Sequence, residues 1–370
     1  MTARPAIDFC DLAPSYISAI APYQPGKPIA ELERELGISG AVKLASNENP
    51  RGASPKAIAA ARTALDDIAR YPDGNGFELK RAIADRHSVA ESAVVLGNGS
   101  NDVLELVART FLTPGAAAVF AQHAFAVYPL VTQATGAIGV EVAARDFGHD
   151  LIAMQHAITG DVKVVFIANP NNPTGTLLHP RDVRAFLEDV PNRVLVVLDE
   201  AYNDYLPDAL KADSVSWLTE FPNLVVSRTF SKAHGLAGLR VGYGLAHPAV
   251  ADLMNRVRQP FNVSSVAQAA AVAALADDAF VEQSRELNRR GMEHVTAGLG
   301  KLALDFIPSY ANFVSFRVPD ARTVYDRLLR LGVIVRPIAS YGMPDFLRVS
   351  IGLPEENARF LAALQQALSH

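Results

Sequence analysis

Thr229-Phe230-Ser231-Lys232, with Arg240 eight residues further on, puts an amine, two hydroxyls and a guanidinium in one short segment. The segment follows the apolar run Leu224-Val225-Val226. Lysine is seldom buried without a partner, so a lysine leaving a buried strand points to chemistry rather than solubility. An amine with a lowered pKa can form a Schiff base with a carbonyl cofactor. Thr229, Ser231 and Arg240 are phosphate ligands by type. A solvated loop lysine is the plain alternative, and three further segments count against it.

The first is Gly97-Asn98-Gly99-Ser100-Asn101-Asp102, between the apolar run Ala93–Leu96 and a helical stretch around 103–112. Glycines let the backbone turn sharply, and helix N-terminal amides hold a phosphate. The third glycine of a dinucleotide fingerprint is missing, and taken singly the segment reads as a capped strand–helix turn. The second is Asn169-Pro170-Asn171-Asn172-Pro173-Thr174-Gly175, after Val162–Ala168. Prolines and glycine make a loop there, and an asparagine at a strand end also offers an amide to a ring hydroxyl. The third is Asp199-Glu200-Ala201-Tyr202, after Val194–Leu198. A carboxylate ending a buried strand needs a cation or several hydrogen bonds. Asp199 either caps the next helix or pairs with a heteroaromatic nitrogen and keeps it protonated, with Tyr202 reaching a phenolate oxygen on the same ring.

Such segments need a sheet to gather them. Apolar runs at Ala93–Leu96, Ala117–Ala121, Ile138–Val142, Val162–Ala168, Val194–Leu198, Leu224–Ser227 and Val241–Leu245 read as seven strands. Several are apolar throughout, as strands covered on both faces are. Helical connections between them predict an α/β fold with a mostly parallel, doubly wound sheet. Ligands in such sheets bind outside the carboxyl ends of the strands, where all four segments fall. Ser54-Pro55 opens a helix running to about Ala69, with Ser at N-cap and Pro at N1. After about residue 246, helical sequence runs from His247 to Gly300. Strands at Phe313–Val318, Val333–Val335 and Leu347–Ile351 then enclose a helix at 321–331, and a last helix starts at Glu355. The predicted division is an arm contributing to the small domain over 1–40, a large domain over 41–260, and connecting helices with a small domain over 261–370. Pro5, Pro14, Pro22, Pro25 and Pro28 break up the arm, and a short helix fits Ile29–Leu36.

The 370 residues suffice for about two domains, and 49% hydrophobic with 20% charged residues favours a substantial core over disorder. A net charge of −5 gives no electrostatic reason to expect nucleic acid or an anionic membrane as partner. One cysteine, Cys10, excludes an internal disulfide and fits a reducing compartment. With no signal-peptide pattern and no run long enough to span a bilayer, a soluble cytoplasmic protein is expected. The nine histidines are scattered, and no His-Glu-x-x-His or paired-cysteine pattern offers a metal site. A Walker A loop and a Gly-x-Ser-x-Gly elbow are also missing.

The order of these segments, ending in Ser-Lys and Gly238-Leu239-Arg240-Val241-Gly242, resembles the fold-type I pyridoxal-phosphate aminotransferases of class-II type. Over nearly its whole length the chain is similar to histidinol-phosphate aminotransferases. Ser46-Asn47-Glu48-Asn49-Pro50, Arg70-Tyr71-Pro72-Asp73-Gly74 and Leu347-Arg348-Val349-Ser350-Ile351-Gly352 carry that likeness. The resemblance implies pyridoxal 5′-phosphate held as a Schiff base by Lys232, which later shuttles the substrate proton. It implies Asp199 on the pyridinium nitrogen and Tyr202 and Asn172 on the ring hydroxyl. Ser100, Asn101, Thr229, Ser231 and Arg240 are implied around the phosphate, which Tyr71 reaches from the partner subunit of a homodimer. Phe125, in His123-Ala124-Phe125-Ala126-Val127-Tyr128, is implied to stack on the ring, without the hydroxyl many relatives carry there. Arg348 falls to the substrate α-carboxylate with Asn47 nearby, and Tyr23 and Arg336 to the distal end.

The implied reaction moves an amino group between histidinol phosphate and 2-oxoglutarate, in histidine biosynthesis. An aromatic amino-acid aminotransferase and an amino-acid-phosphate decarboxylase are the alternatives within the fold. Arg336 has its own structural alternative, an ion pair on the small domain, and Tyr23 could simply pack among the prolines. A transcription regulator using this fold as a sensor needs a DNA-binding domain in front, for which the proline-rich arm leaves no room.

Overall fold

The computed structural model describes residues 9–22 and 26–369. In chain order its strands are β1 (Val42–Lys43), β2 (Val94–Gly97), β3 (Ala117–Ala121), β4 (Ile138–Val142), β5 (Val162–Ala168) and β6 (Leu195–Asp199). They continue with β7 (Leu224–Thr229), β8 (Gly242–Ala246), β9 (Phe313–Arg317), β10 (Val333–Ile334), β11 (Arg336–Pro337) and β12 (Phe346–Ser350).

Seven of them form the large sheet in the order β2-β8-β7-β6-β5-β3-β4. The pairs β3–β4, β3–β5, β5–β6 and β6–β7 are parallel, while β8 runs antiparallel to both β7 and β2. The expected seven strands are all present, with ends displaced by a residue or two. β2, β3, β6 and β8 are buried along their whole length, which their unbroken apolar sequence anticipates. At the edge, β4 leaves Ile138 57% exposed.

The reversed strand matters for the site. Gly242, the first residue of β8, lies opposite both Thr229 and Gly97, which stand at or near the carboxyl ends of their strands. Arg240, two residues upstream, is thereby delivered to the same edge as the loops after β2, β5, β6 and β7. A wholly parallel sheet would have put it at the opposite edge.

Ser54 accepts from the amides of Lys56 and Ala57 and Pro55 stands at N1, as expected of this helix start. The helix ends at Ala64 and continues as a 3-10 turn over Leu65–Asp67. The helical stretch expected from His247 to Gly300 is three helices, Pro248–Val257, Ser265–Leu275 and Asp278–Lys301. Pro260 lies in the first break, where it can neither donate to nor fit inside a helix.

The apolar core of the large sheet gathers residues from Ala57 to Leu275, including the alanines Ala267, Ala270, Ala271 and Ala274 of the second helix. A second core joins Leu44 to residues between Val295 and Ala367. It surrounds a three-stranded antiparallel sheet, β11-β12-β9, and the parallel pair β1–β10. The expected strand Val333–Val335 is therefore divided: β10 pairs with β1, and β11 begins one residue after Val335 and pairs with β12.

Candidate active site

One pocket opens at the carboxyl edge of the large sheet, where the two cores meet. Lys232, Asp199, Tyr202, Asn172, Thr229, Ser231, Arg240, Ser100, Asn101 and Phe125 line it together with Asn47, Arg336 and Arg348. Thirteen residues singled out from the sequence, at or after the ends of β1, β2, β3, β5, β6 and β7 and on the small sheet, thus share one cavity. Tyr71 does not line the pocket of its own chain; it is 82% exposed and stacks on Phe261, with ring centroids 4.8 Å apart. Tyr23 lies outside the described residues.

Lys232 is enclosed, and its ammonium pKa is lowered to about 8, first by burial and then by the neighbouring Arg348, while Glu48 pulls the other way. Its Nζ donates to the carbonyl of Ser46 at 3.3 Å and stands 5.6 Å from the centre of the Tyr202 ring. With a pKa of 8 roughly a tenth of the amine is neutral at pH 7, against less than a thousandth at the usual ~10.4. Burial and the neighbouring guanidinium therefore make part of the amine nucleophilic at neutral pH.

Asp199 is also buried, and burial raises its carboxyl to about 6. The Tyr128 hydroxyl opposes that rise by donating to Oδ2 at 2.9 Å. The Tyr128 ring is fully buried and lies flat on Phe166, 4.9 Å away at 7°. Oδ1 of Asp199 is buried without a hydrogen-bond partner. An unsatisfied charged acceptor costs on the order of 1–3 kcal/mol or more, so this oxygen is arranged for a donor that the chain does not supply.

Opposite Asp199 the lining is cationic and cradle-shaped. Arg240 adopts a left-handed backbone (φ 54°) and donates to Ser231 Oγ at 3.3 Å and to the Ala237 carbonyl at 3.0 Å. Gly99, at φ 86°, precedes the helix Ser100–Phe111, and a Cβ at that position would run into the Arg240 guanidinium. The backbone conformation favours glycine there, and any side chain would displace the guanidinium from the cradle. Helix amides, two hydroxyls and a guanidinium around one small cavity make an anion site.

In the loop after β5, Asn169 exchanges hydrogen bonds with the backbone of Leu178, and Asn171 binds the His123 carbonyl and Thr174. Those two amides hold the loop, leaving Asn172 to face the pocket and accept from Arg348 at 2.5 Å. Arg348 also donates to the Ala45 carbonyl at 2.9 Å. Asn47 has a left-handed backbone (φ 56°) and donates to the Tyr202 hydroxyl at 2.9 Å. The hydroxyl of Ser350 both accepts from the Asn47 amide and donates to its Oδ1, tying β12 to that loop.

Arg336 and Arg348 are direct cross-strand partners of β11 and β12, so both guanidinium stems rise from the same face. Like charges placed opposite each other are destabilising. Both line the pocket, and with Lys232 and Arg240 they make four cations against one carboxylate, Asp199, among the described lining residues. That imbalance suits a site that takes anions at two places.

Pyridoxal phosphate fits this donor set. Its ring nitrogen would answer Asp199 Oδ1, its phosphate the Gly99–Arg240 cradle, its carbonyl Lys232, and its ring hydroxyl Asn172 and Tyr202. Among the lining residues with a polar side chain, Ser46 and Tyr341 were given no role from sequence, nor was the supporting Tyr128. Tyr128 had one signal, its place three residues after Phe125, on the first turn of the helix Val127–Ala134. Tyr341 had none.

The family model for class I and II aminotransferases matches residues 39–364. A histidinol-phosphate aminotransferase of Methylobacillus flagellatus is 66% identical over 97% of this chain and 98% of its own. The chain belongs to the histidinol-phosphate aminotransferases. A second relative of that name, from Nitrosospira multiformis, is 60% identical over 98% of this chain and 93% of its own. Among solved structures, the histidinol-phosphate aminotransferase of Sinorhizobium meliloti, crystallised with pyridoxal-5′-phosphate, superposes with a TM-score of 0.88 at 29% identity, covering 96% of each chain. Family members of low identity thus share the fold, while the high-identity relatives agree on one activity.

Proposed function

We propose that the protein is a pyridoxal-phosphate-dependent aminotransferase that moves an amino group between histidinol phosphate and 2-oxoglutarate, in histidine biosynthesis. The observation that carries the reaction class is the half-buried Lys232, its pKa lowered to about 8 in a pocket shared with the half-satisfied Asp199. The substrate is supported by relatives of 60–66% identity that bear this name.

When bound, the cofactor supplies a carbonyl that takes up the amino group and a ring that accepts the electron pair left on the substrate carbon. Lys232 holds that carbonyl and, once displaced by the donor's amine, takes the proton from the reacting carbon and returns it one position along. Asp199 keeps the ring nitrogen protonated, and Tyr128 keeps Asp199 ionised and aimed. Tyr202 and Asn172 hold the ring hydroxyl, and Phe125 covers one ring face. Ser100, Asn101, Thr229, Ser231 and Arg240 anchor the phosphate. Arg348, steadied by Asn172 and the Ala45 carbonyl, takes the α-carboxylate of glutamate. Arg336 and Tyr23 serve the phosphate of histidinol phosphate. Asn47 orients Tyr202 through the 2.9 Å hydrogen bond.

A homodimer belongs to this reading. Tyr71 and Phe261 stack at the surface, and Ile68, Leu65 and Phe77, each at least half exposed, lie in the neighbouring sequence. Exposed apolar residues of this kind suit a partner's surface, and from there Tyr71 would reach the partner's phosphate site. The division at residues 40 and 260 is likewise proposed: two apolar cores support two domains, with the large-sheet core running on to Leu275 and Leu44 joining the small one. A cytoplasmic setting is supported by the single cysteine; among the described residues no helix is long and apolar enough to cross a membrane.

Purified enzyme given histidinol phosphate and 2-oxoglutarate should form glutamate and the corresponding keto phosphate in equal amounts. Carbon dioxide without glutamate would turn the reading to a decarboxylase. Two smaller results are expected of the site. Tyr128→Phe removes a hydrogen bond to a charged group, worth about 1.5–3 kcal/mol, so the cofactor dissociation constant read by absorbance should rise tenfold or more. Uptake of cofactor by the cofactor-free protein should quicken as pH rises through about 8, because only the neutral Lys232 amine attacks. A uptake rate flat between pH 7 and 9 would remove Lys232 titration from the account.

A further inference from the structure

The arginines and the cofactor residues account for most of the pocket wall. Of the other described residues lining it, Gly26, Ala45, Ala168, Pro170 and Ala201 offer no side-chain polar group, and Ser46 offers only a short hydroxyl beside the carbonyl that Lys232 takes. Tyr341 is the remaining aromatic, and its phenol is near enough to Tyr202 and Tyr128 to raise both of their pKa values. It lies in the 3-10 turn Ala339–Tyr341, five residues after Arg336 and seven before Arg348. Its ring is half-buried against the cluster of Ile307, Ile338, Met343 and Phe346.

His123 fastens the turn to the loop that carries Phe125. His123 Nδ1 donates to the Tyr341 carbonyl at 2.5 Å. His123 itself has a left-handed backbone (φ 56°), and its carbonyl accepts from Asn171 at 3.0 Å. The following turn closes on the same ring: Gly342, at φ 74°, has space for a Cβ only 3.3 Å from His123 Cε1. Phe125 stands two residues after His123. The His123 imidazole thus links the wall that carries Phe125 to the wall that carries Tyr341.

Resting on the substrate assigned above, we propose that Tyr341 determines specificity for the aromatic arm of the amino donor. Its hydroxyl hydrogen-bonds the donor's imidazole, and His123 is the positioning residue that holds it in place. Histidinol phosphate has two arms on the reacting carbon. The anionic arm goes to the arginines, so the planar, hydrogen-bonding arm needs a partner elsewhere on the wall. A phenol can donate to one imidazole nitrogen or accept from the other. Glutamate has no aromatic arm and makes no such demand.

The test compares the two amino donors in half-reactions of the holoenzyme. Tyr341→Phe keeps the ring and removes the hydroxyl. The ratio of kcat/KM for histidinol phosphate to that for glutamate should fall roughly 3- to 10-fold, the effect of one neutral hydrogen bond, and chiefly through KM. His123→Ala should move the ratio in the same direction. His123→Asn should restore it, because asparagine tolerates a left-handed backbone and carries an N–H where Nδ1 stands. An unchanged ratio, equal losses with both donors, or an asparagine variant no better than alanine would overturn the proposal. Failure of the unaltered enzyme to react with histidinol phosphate, while glutamate still reacts, would instead remove the substrate assignment, and this inference with it.

Discussion

Lys232→Ala will leave a folded protein that neither transaminates nor retains cofactor after borohydride reduction. The unaltered enzyme should carry one reducible cofactor per chain, fixed to Lys232. Loss of the amine removes two things at once: the group that holds the carbonyl, and the base that moves the proton. General-base catalysis alone contributes roughly 10²–10⁴-fold, so the fall in kcat should exceed that range when both roles vanish. The fold should survive, because half-buried Lys232 is held at a desolvation cost that lowers its pKa to about 8. Its hydrogen bond to Ser46 is long, at 3.3 Å. Removing it takes away a strained charge rather than a structural tie. A thermal melt of the variant near that of the unaltered protein, together with absent turnover, separates chemistry from folding. Turnover within tenfold of normal would remove Lys232 from the centre of the mechanism.

Asp199→Asn will lower kcat far more than it weakens substrate binding. The replacement is close in shape, and its carbonyl oxygen can still accept from Tyr128. What is lost is the negative charge beside the ring nitrogen, now an amide that cannot favour a proton there. Removing one pre-organised electrostatic partner from an enclosed site commonly costs about 10²–10³-fold in rate, and a loss of that size is expected in kcat. KM for glutamate should change little, since Arg348 is untouched. A spectral titration adds a second readout, because the protonated ring absorbs differently from the neutral one. The variant's spectrum should be that of an unprotonated ring at neutral pH. Near-normal turnover would mean that the unsatisfied Oδ1 has another purpose.

Most of the site was legible because its chemistry sits at strand ends, and strand ends were legible from unbroken apolar runs. Asp199 and Thr229 stand at the ends of β6 and β7 for that reason. The sequence also spelled Asn172 and Arg348, although the 2.5 Å hydrogen bond between them needed coordinates. The direction of β8 was not legible, since an apolar run has no arrow, and that direction is what brings Arg240 to the phosphate cradle. β1, only Val42–Lys43, is too short to show any period, so the strand itself was missed although the arm was expected to join the small domain. Tyr128 was passed over because its hydroxyl matters only through Asp199, and Tyr341 because no spacing rule joins residues 123 and 341. Their relation is purely tertiary.

The choice of substrate stands beside the reaction itself. Side-by-side kcat/KM values for histidinol phosphate and phenylalanine, each with 2-oxoglutarate as acceptor, test it most directly. The account predicts a clear preference for histidinol phosphate, because Arg336 and Arg348 rise together from one face and favour a doubly charged phosphate over a single carboxylate. Equal or greater efficiency with phenylalanine would contradict that assignment and make the protein an aromatic aminotransferase, with Lys232 and Asp199 unchanged in their roles.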